Sequence, residues 1–176
     1  KAHIGYSDRL FNNEIIDGLD ILRVKTYIPK KNGTFYRALH QLSFMVSSLI
    51  AGILTQKTNV IIVTTPQFFC SISGLVISKI KRVPFILEVA DIWTNSIKAT
   101  QETYGFFYSL MEKIETFIYK KSDAIVVLTH GFKKEIIKRG VDKNKIFVVM
   151  NGVKQQVYSK KFDNSELIDK FNIKDK

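Results

Sequence analysis

The apolar positions of this chain fall into short continuous runs and into runs of helical period, and the two kinds alternate. Ala124 to Leu128 is a continuous apolar segment of the kind a parallel sheet buries on both faces, and Thr129 after it is a helix N-cap candidate. From there Phe132, Ile136 and Ile137 share one helical face, while Lys133, Lys134, Glu135, Lys138 and Arg139 fall outside it. Gly140 supplies the C-terminal stop. Ile146 to Val149 is the next strand, closed by the Asn151-Gly152 turn. This predicts a strand-helix-strand crossover whose loops lie beyond the carboxyl ends of the strands, where open α/β sheets bind ligands.

Upstream, two short apolar segments between Leu10 and Ile28 flank Asp17-Gly18, which predicts a β-hairpin. Lys30 to Thr34 is a polar loop, and Phe35 to Gln56 reads as a long helix whose apolar run, Leu42 to Leu54, is interrupted by Ser47, Ser48 and Gly52. Arg37, His40 and Gln41 shorten the uninterrupted apolar length below the roughly 20 residues a bilayer needs, so a helix buried against the sheet is expected. Val60 to Val63 is a strand, Phe68 to Ile80 a helix and Phe85 to Val89 a strand. Thr103 to Lys121 is an amphipathic helix with Phe107, Leu110, Met111, Ile114 and Phe117 along one side. Strands and helices in alternation predict an α/β fold, a Rossmann-like parallel sheet flanked by helices with a β-hairpin near the N-terminus.

Composition narrows the function classes. The 176 residues suffice for one domain with a real core, and 45% apolar with 24% charged residues is ordinary globular usage. The single cysteine, Cys70, has no partner for an internal disulfide and no metal-ligand spacing around it; it reads as a small buried residue on a helix. The chain begins at Lys1 without a signal segment, so it is expected to be an internal fragment, cytoplasmic or peripheral at the inner face of the cell membrane.

The net charge of +11 sits in small groups beside apolar runs: Lys79, Lys81 and Arg82; Tyr119, Lys120 and Lys121; Lys133, Lys134, Lys138 and Arg139. No helix-turn-helix, zinc-finger or single-strand RNA signature accompanies them, so nucleic acid is not expected as a partner. An anionic membrane surface suits the pattern better, at about 1 kcal/mol per basic residue near the leaflet. A solvated basic surface with no dedicated partner explains any one group equally well.

The candidate chemistry gathers at strand ends. Glu88 and Asp91 place two carboxylates, with Trp93, where a buried strand stops, and both are expected to be capped by backbone amides or basic side chains. An N-cap for the Trp93 turn accounts for Asp91 as well as a catalytic role does. Thr64, Thr65, Pro66 and Gln67 stand at a helix start, where capping is the economical role. Thr129, His130 and Gly131 sit similarly, and Asn151-Gly152 is a turn needing positive φ. Neither a Gly-x-Gly-x-x-Gly motif nor a phosphate loop ending in Gly-Lys-Ser/Thr is present, which removes the main support for dinucleotide and P-loop readings.

Three blocks carry a resemblance: "NVIIVTTPQFF" from Asn59, "VPFILEVADIWTNSI" from Val83 and "SDAIVVLTHGFKKEIIKRGVDKNKIFVVMNGV" from Ser122. In that order they resemble the N-terminal domain of family 4 glycosyltransferases of the bacterial surface-polysaccharide type. The resemblance implies the N-terminal half of a GT-B fold. Residues 1–158 would be the acceptor-side domain without its first strand-helix unit, and residues 159–176 the lead-in to an absent donor-binding domain. It implies a retaining transfer from a nucleotide-sugar to a polysaccharide or lipid-linked acceptor, with no cofactor and no metal. The donor's own phosphate would assist departure, while the protein supplies positive charge and positioning. The implied catalytic residues are Asp91, supported by Glu88; the implied acceptor-binding residues are Thr65, Trp93, Asn95, Thr129, Asn151 and Gly152. Ala90 and Thr94 stand where the family often has arginine and proline. The competing expectation is a non-catalytic basic Rossmann-like module that binds nucleic acid or a partner protein.

Overall fold

The computed structural model describes residues 9–31, 33–65, 68–92, 94–95 and 105–152. A hairpin opens the described chain: β1 (Phe11–Ile16) pairs antiparallel with β2 (Leu19–Val24), with Ile16 opposite Leu19. Asp17 and Gly18 both take positive φ, 52° and 79°, the demand of a two-residue turn that matches strand twist. Helix α1 (Thr34–Leu54) follows, then β3 (Ile61–Thr64), α2 (Phe68–Lys81), β4 (Phe85–Val89), α3 (Phe106–Lys121), β5 (Ala124–Val127), α4 (His130–Lys138), a 3₁₀ turn at Lys143–Lys145 and β6 (Ile146–Val148).

The second sheet is wholly parallel and its four strands lie in chain order, β3-β4-β5-β6. Each predicted element is present within a few residues of its expected bounds. Pairing of Val63 with Leu87, Leu87 with Ile125 and Ile125 with Ile146 puts these side chains in one row. That row and its neighbours Phe85, Val89 and Val127 form the core with Phe68, Leu75, Met111, Ile118, Tyr119 and Ile136 of the helices. Gly74 lets α2 settle there, since a Cβ would stand 2.3 Å from Val63 Cγ2.

Three expectations are corrected. Burial of the sheet on both faces does not hold among the described residues: Ile62 and Phe147, on the face opposite the core, are 62% and 54% exposed. Right-handed crossovers between strands taken in consecutive order return every connecting helix to the same face. Secondly, α1 packs on α2 and β2 rather than lying buried against the parallel sheet. Its small and polar side turns inward, with Ser48 Oγ 3.2 Å from Ser73 Oγ and Gly52 against Ile77. Phe35, Leu39, Leu42, Val46, Ile50 and Ile53 are left on the outside, each between 37% and 74% exposed. By length and mean composition Phe35–Leu54 is apolar enough to cross a bilayer in spite of Arg37, His40 and Gln41. Thirdly, the predicted face of α3 holds in part: Met111 is buried and Ile114 packs on the core as expected, but the inner side continues through Ile118 and Tyr119. Met111, Glu115, Ile118 and Tyr119 are buried, whereas Leu110 and Phe117 point outward and the Phe107 side chain lies outside the described residues. On the inward side Glu115 pairs with Arg139, just past α4.

Candidate functional site

Because β3 to β6 run in the same direction, the residues that follow them share one end of the sheet. They are Thr65 after β3, Ala90 to Asn95 after β4, Thr129 after β5 and Asn151-Gly152 after β6. Thr65 binds the first two tips together. Its backbone N–H donates to Glu88 O at 2.9 Å, and its buried hydroxyl donates to Asp91 O at 3.2 Å and accepts from Ala90 N at 3.0 Å. The hydroxyl is thus committed to holding the turn that carries Asp91.

Glu88 lies in the row Thr64, Glu88, Val126, Phe147, on the sheet face opposite the core, and accepts from the Thr64 hydroxyl at 2.6 Å. A neutral hydroxyl therefore serves Glu88, where backbone amides or basic side chains were expected. Asp91 is half-buried three residues on. Thr129 is the N-cap of α4: its Oγ1 accepts from Phe132 N at 3.1 Å. Asn151 and Gly152 are exposed, and the Val149 N–H to Val127 O bond carries the sheet up to them. Trp93 lies outside the described residues, as do Pro66, Gln67 and residues 159–176.

Beneath the Asp91 turn lies a cluster that pattern reading missed. Arg139, just past α4, points inward with its side chain 9% exposed, and its Nη1 donates to Glu115 Oε2 at 2.6 Å. The same Nη1 lies 3.1 Å from Thr94 Oγ1, the Thr94 hydroxyl donates to Glu115, and Arg139 Nη2 donates to Asn95 Oδ1 at 3.0 Å. Tyr119 is buried beside them, and burial, reinforced by the Glu115 carboxylate, holds its phenol protonated well above the usual range. The signals were a lone acid inside the apolar stripe of α3 and an arginine three residues after the buried Ile136. By position in the chain Arg139 falls into one basic group with Lys133, Lys134 and Lys138, and only its burial sets it apart.

Other members of the basic groups are also engaged in the fold. Lys81 Nζ donates to Thr55 O and Gln56 O just beyond α1, and Lys145 Nζ to Lys120 O and Ser122 O at the end of α3. Lys133 Nζ donates to Ile146 O. Exposed lysines persist around them, among them Lys79, Lys121, Lys134 and Lys138. Among the described residues no group of three or more His, Cys, Asp or Glu side chains could hold a metal ion. A depression of about 960 Å³ between the hairpin and the last turn of α1 lies away from the strand tips and is lined by Phe11, Glu14, Leu22, Ala51 and Leu54.

A family comparison decides what this arrangement belongs to. The sequence model for Glycosyltransferase Family 4 matches residues 5–156, most of the chain. The chain is a family 4 glycosyltransferase domain. No curated protein matches it. The matched region contains the hairpin, all four parallel strands and every described candidate residue, so the strand-tip cluster is that of a glycosyltransferase domain. A sugar donor and an acceptor are its substrates in general terms, and the Rossmann-like α/β architecture agrees with one half of a GT-B fold.

Proposed function

We propose that this glycosyltransferase domain is the acceptor-side half of a two-domain, retaining enzyme that transfers a sugar from a nucleotide-sugar to a saccharide or lipid-linked acceptor in polysaccharide assembly. The observation that carries the reading is the commitment of Thr65 to the Asp91 turn at the shared end of four parallel strands. Open α/β sheets bind ligands at that end. Asp91 is the residue we assign to acceptor positioning or proton removal, and Glu88, reaching the other face of the sheet, supports the same strand end. Asn95, Thr129, Asn151 and Gly152 offer amide, hydroxyl and backbone groups to sugar hydroxyls, with Trp93 as the aromatic surface. The exposed lysines suit an anionic membrane face, which would bring the enzyme to a lipid-linked acceptor at the inner side of the cell membrane. In this reading donor binding belongs to the other half of the GT-B fold.

The test uses Trp93, the chain's single tryptophan. Titrating the chain with a polyprenyl diphosphate-linked N-acetylhexosamine in detergent micelles should change Trp93 emission saturably, and polyprenyl phosphate without the sugar should not. Asp91→Ala should weaken the titration by roughly tenfold, the scale of a lost hydrogen bond to a charged group. Equal responses to both lipids, or none to either, would remove the acceptor assignment.

A further inference from the structure

Arg139 spans an unusual set of partners. Its guanidinium is nine-tenths buried and pairs with Glu115 of α3, 24 residues away in sequence, yet the same group reaches Thr94 and Asn95, 45 and 44 residues away. Glu115 is equally buried and accepts from both Arg139 and Thr94. Two charges removed from water lose much of their hydration, and a well-packed apolar pair of the same volume commonly does as well for stability. Stability is therefore a weak reason for the pair. What an apolar pair could not do is hold Thr94 and Asn95 in one orientation. Thr94 is fully buried and Glu115 lies under it, so neither the acid nor the arginine is placed to touch a substrate at the strand tips.

We propose that Arg139 and Glu115 are positioning residues: an ionic strap between α3 and the end of α4 that holds Thr94 and Asn95, and through that turn sets the Asp91 carboxylate for the acceptor. The strap is anchored at one end of the turn and Thr65 at the other, where its hydroxyl holds Ala90 N and Asp91 O. Cutting the strap removes the polar contacts that hold Thr94 and Asn95 on that side of the turn. The acceptor consequence rests on the function proposed above; the ordering of the turn does not.

Thr94→Val separates ordering from stability, because it keeps the Arg139–Glu115 pair and removes the hydroxyl that links it to the turn. In the full chain, well below its melting temperature, Thr94→Val and Arg139→Met should both raise acrylamide quenching of Trp93. Both should also weaken the glycolipid titration by roughly tenfold or more, the cost of small misplacement at a binding group. Arg139→Lys, which keeps the charge opposite Glu115 without the fork that reaches Thr94 and Asn95 together, should fall between them and the parent. A role confined to stability would lower the melting temperature and leave Trp93 quenching and the titration unchanged in folded Thr94→Val protein; that result overturns the strap. Should Arg139→Met not fold, Thr94→Val decides alone. If the parent chain binds no glycolipid, the acceptor reading falls while Trp93 quenching still tests the strap.

Discussion

Tyr119 illustrates how single residues of this domain answer to what lies around them. Its ring fills the core at 1% exposure, and burial with the Glu115 carboxylate beside it keeps the phenol protonated where an unfolded tyrosine would ionise, near pH 10. A folded-state pKa raised above the unfolded value contributes stability that is complete below pH 10 and is lost as pH rises beyond it. The loss is about 1.4 kcal/mol per pH unit for one proton. Tyr119→Phe should therefore lose about 1.4 kcal/mol less than the parent between pH 9 and pH 11, read from urea midpoints at the two values. Identical alkaline losses in the two proteins would contradict this. Cys70 moves the same way, pushed up by burial to about 11, which suits an inert thiol on α2 rather than a nucleophile. Residues whose role is local were legible from sequence: Asp17-Gly18 in its turn, Thr129 as a cap, Gly140 with φ 78° as a stop. Glu115 and Arg139 were not, because their meaning lies in a contact between segments 24 residues apart that no periodicity encodes.

Among the elements, the parallel strands were the easiest to read, since short apolar runs between turn residues leave few alternatives. Helix orientation was harder. In α1 the large apolar stripe looked like the buried face, yet docking was decided by Ser48 and Gly52, where small residues let α2 approach closely. In α3 the inner side runs through Met111, Ile114, Ile118 and Tyr119 with Glu115 among them, and Leu110 and Phe117 fall outside it. The glycines of the α1–α2 layer make this testable. At Gly74 a Cβ would meet Val63 Cγ2 at 2.3 Å and the Phe85 ring at 3.0 Å; both belong to paired strands and cannot step aside. At Gly52 it would meet Ile77 Cδ1 at 2.4 Å, the free end of a side chain that can change rotamer. Gly74→Ala should destabilise the domain by about 1–3 kcal/mol. Gly52→Ala should be near neutral, because the strain at Ile77 is offset by the roughly 0.5–1 kcal/mol a helix gains when alanine replaces glycine. Paired urea melts measure both, and a larger loss at Gly52 than at Gly74 would show that the α1–α2 contact, not the helix-sheet contact, is the rigid one.

Among the described residues two surfaces are candidates for the proposed membrane contact, and salt tells them apart. One is the exposed lysine set within a chain of net charge +11; the other is the α1 stripe from Leu39 to Ile53, a segment without Asp, Glu, Lys or Arg that carries apolar side chains to solvent. Attraction of exposed cations to an anionic leaflet is worth about 1 kcal/mol per residue at low ionic strength and fades as the screening length drops from about 10 Å at 0.1 M to about 3 Å at 1 M salt. Apolar insertion has no such dependence and needs no anionic lipid. Lys81, Lys133, Lys145 and Arg139 are already engaged by backbone carbonyls or Glu115, so binding through charge rests on the lysines outside that set. The chain should co-sediment with phosphatidylglycerol-containing vesicles at 0.1 M salt, leave them at 1 M, and ignore phosphatidylcholine vesicles under both conditions. Lys134→Glu with Lys138→Glu should weaken the low-salt binding, whereas Val46→Ser should not change it. Retention on neutral vesicles, or binding that survives 1 M salt and fails in Val46→Ser, would assign the membrane face to α1 and remove the basic groups from it.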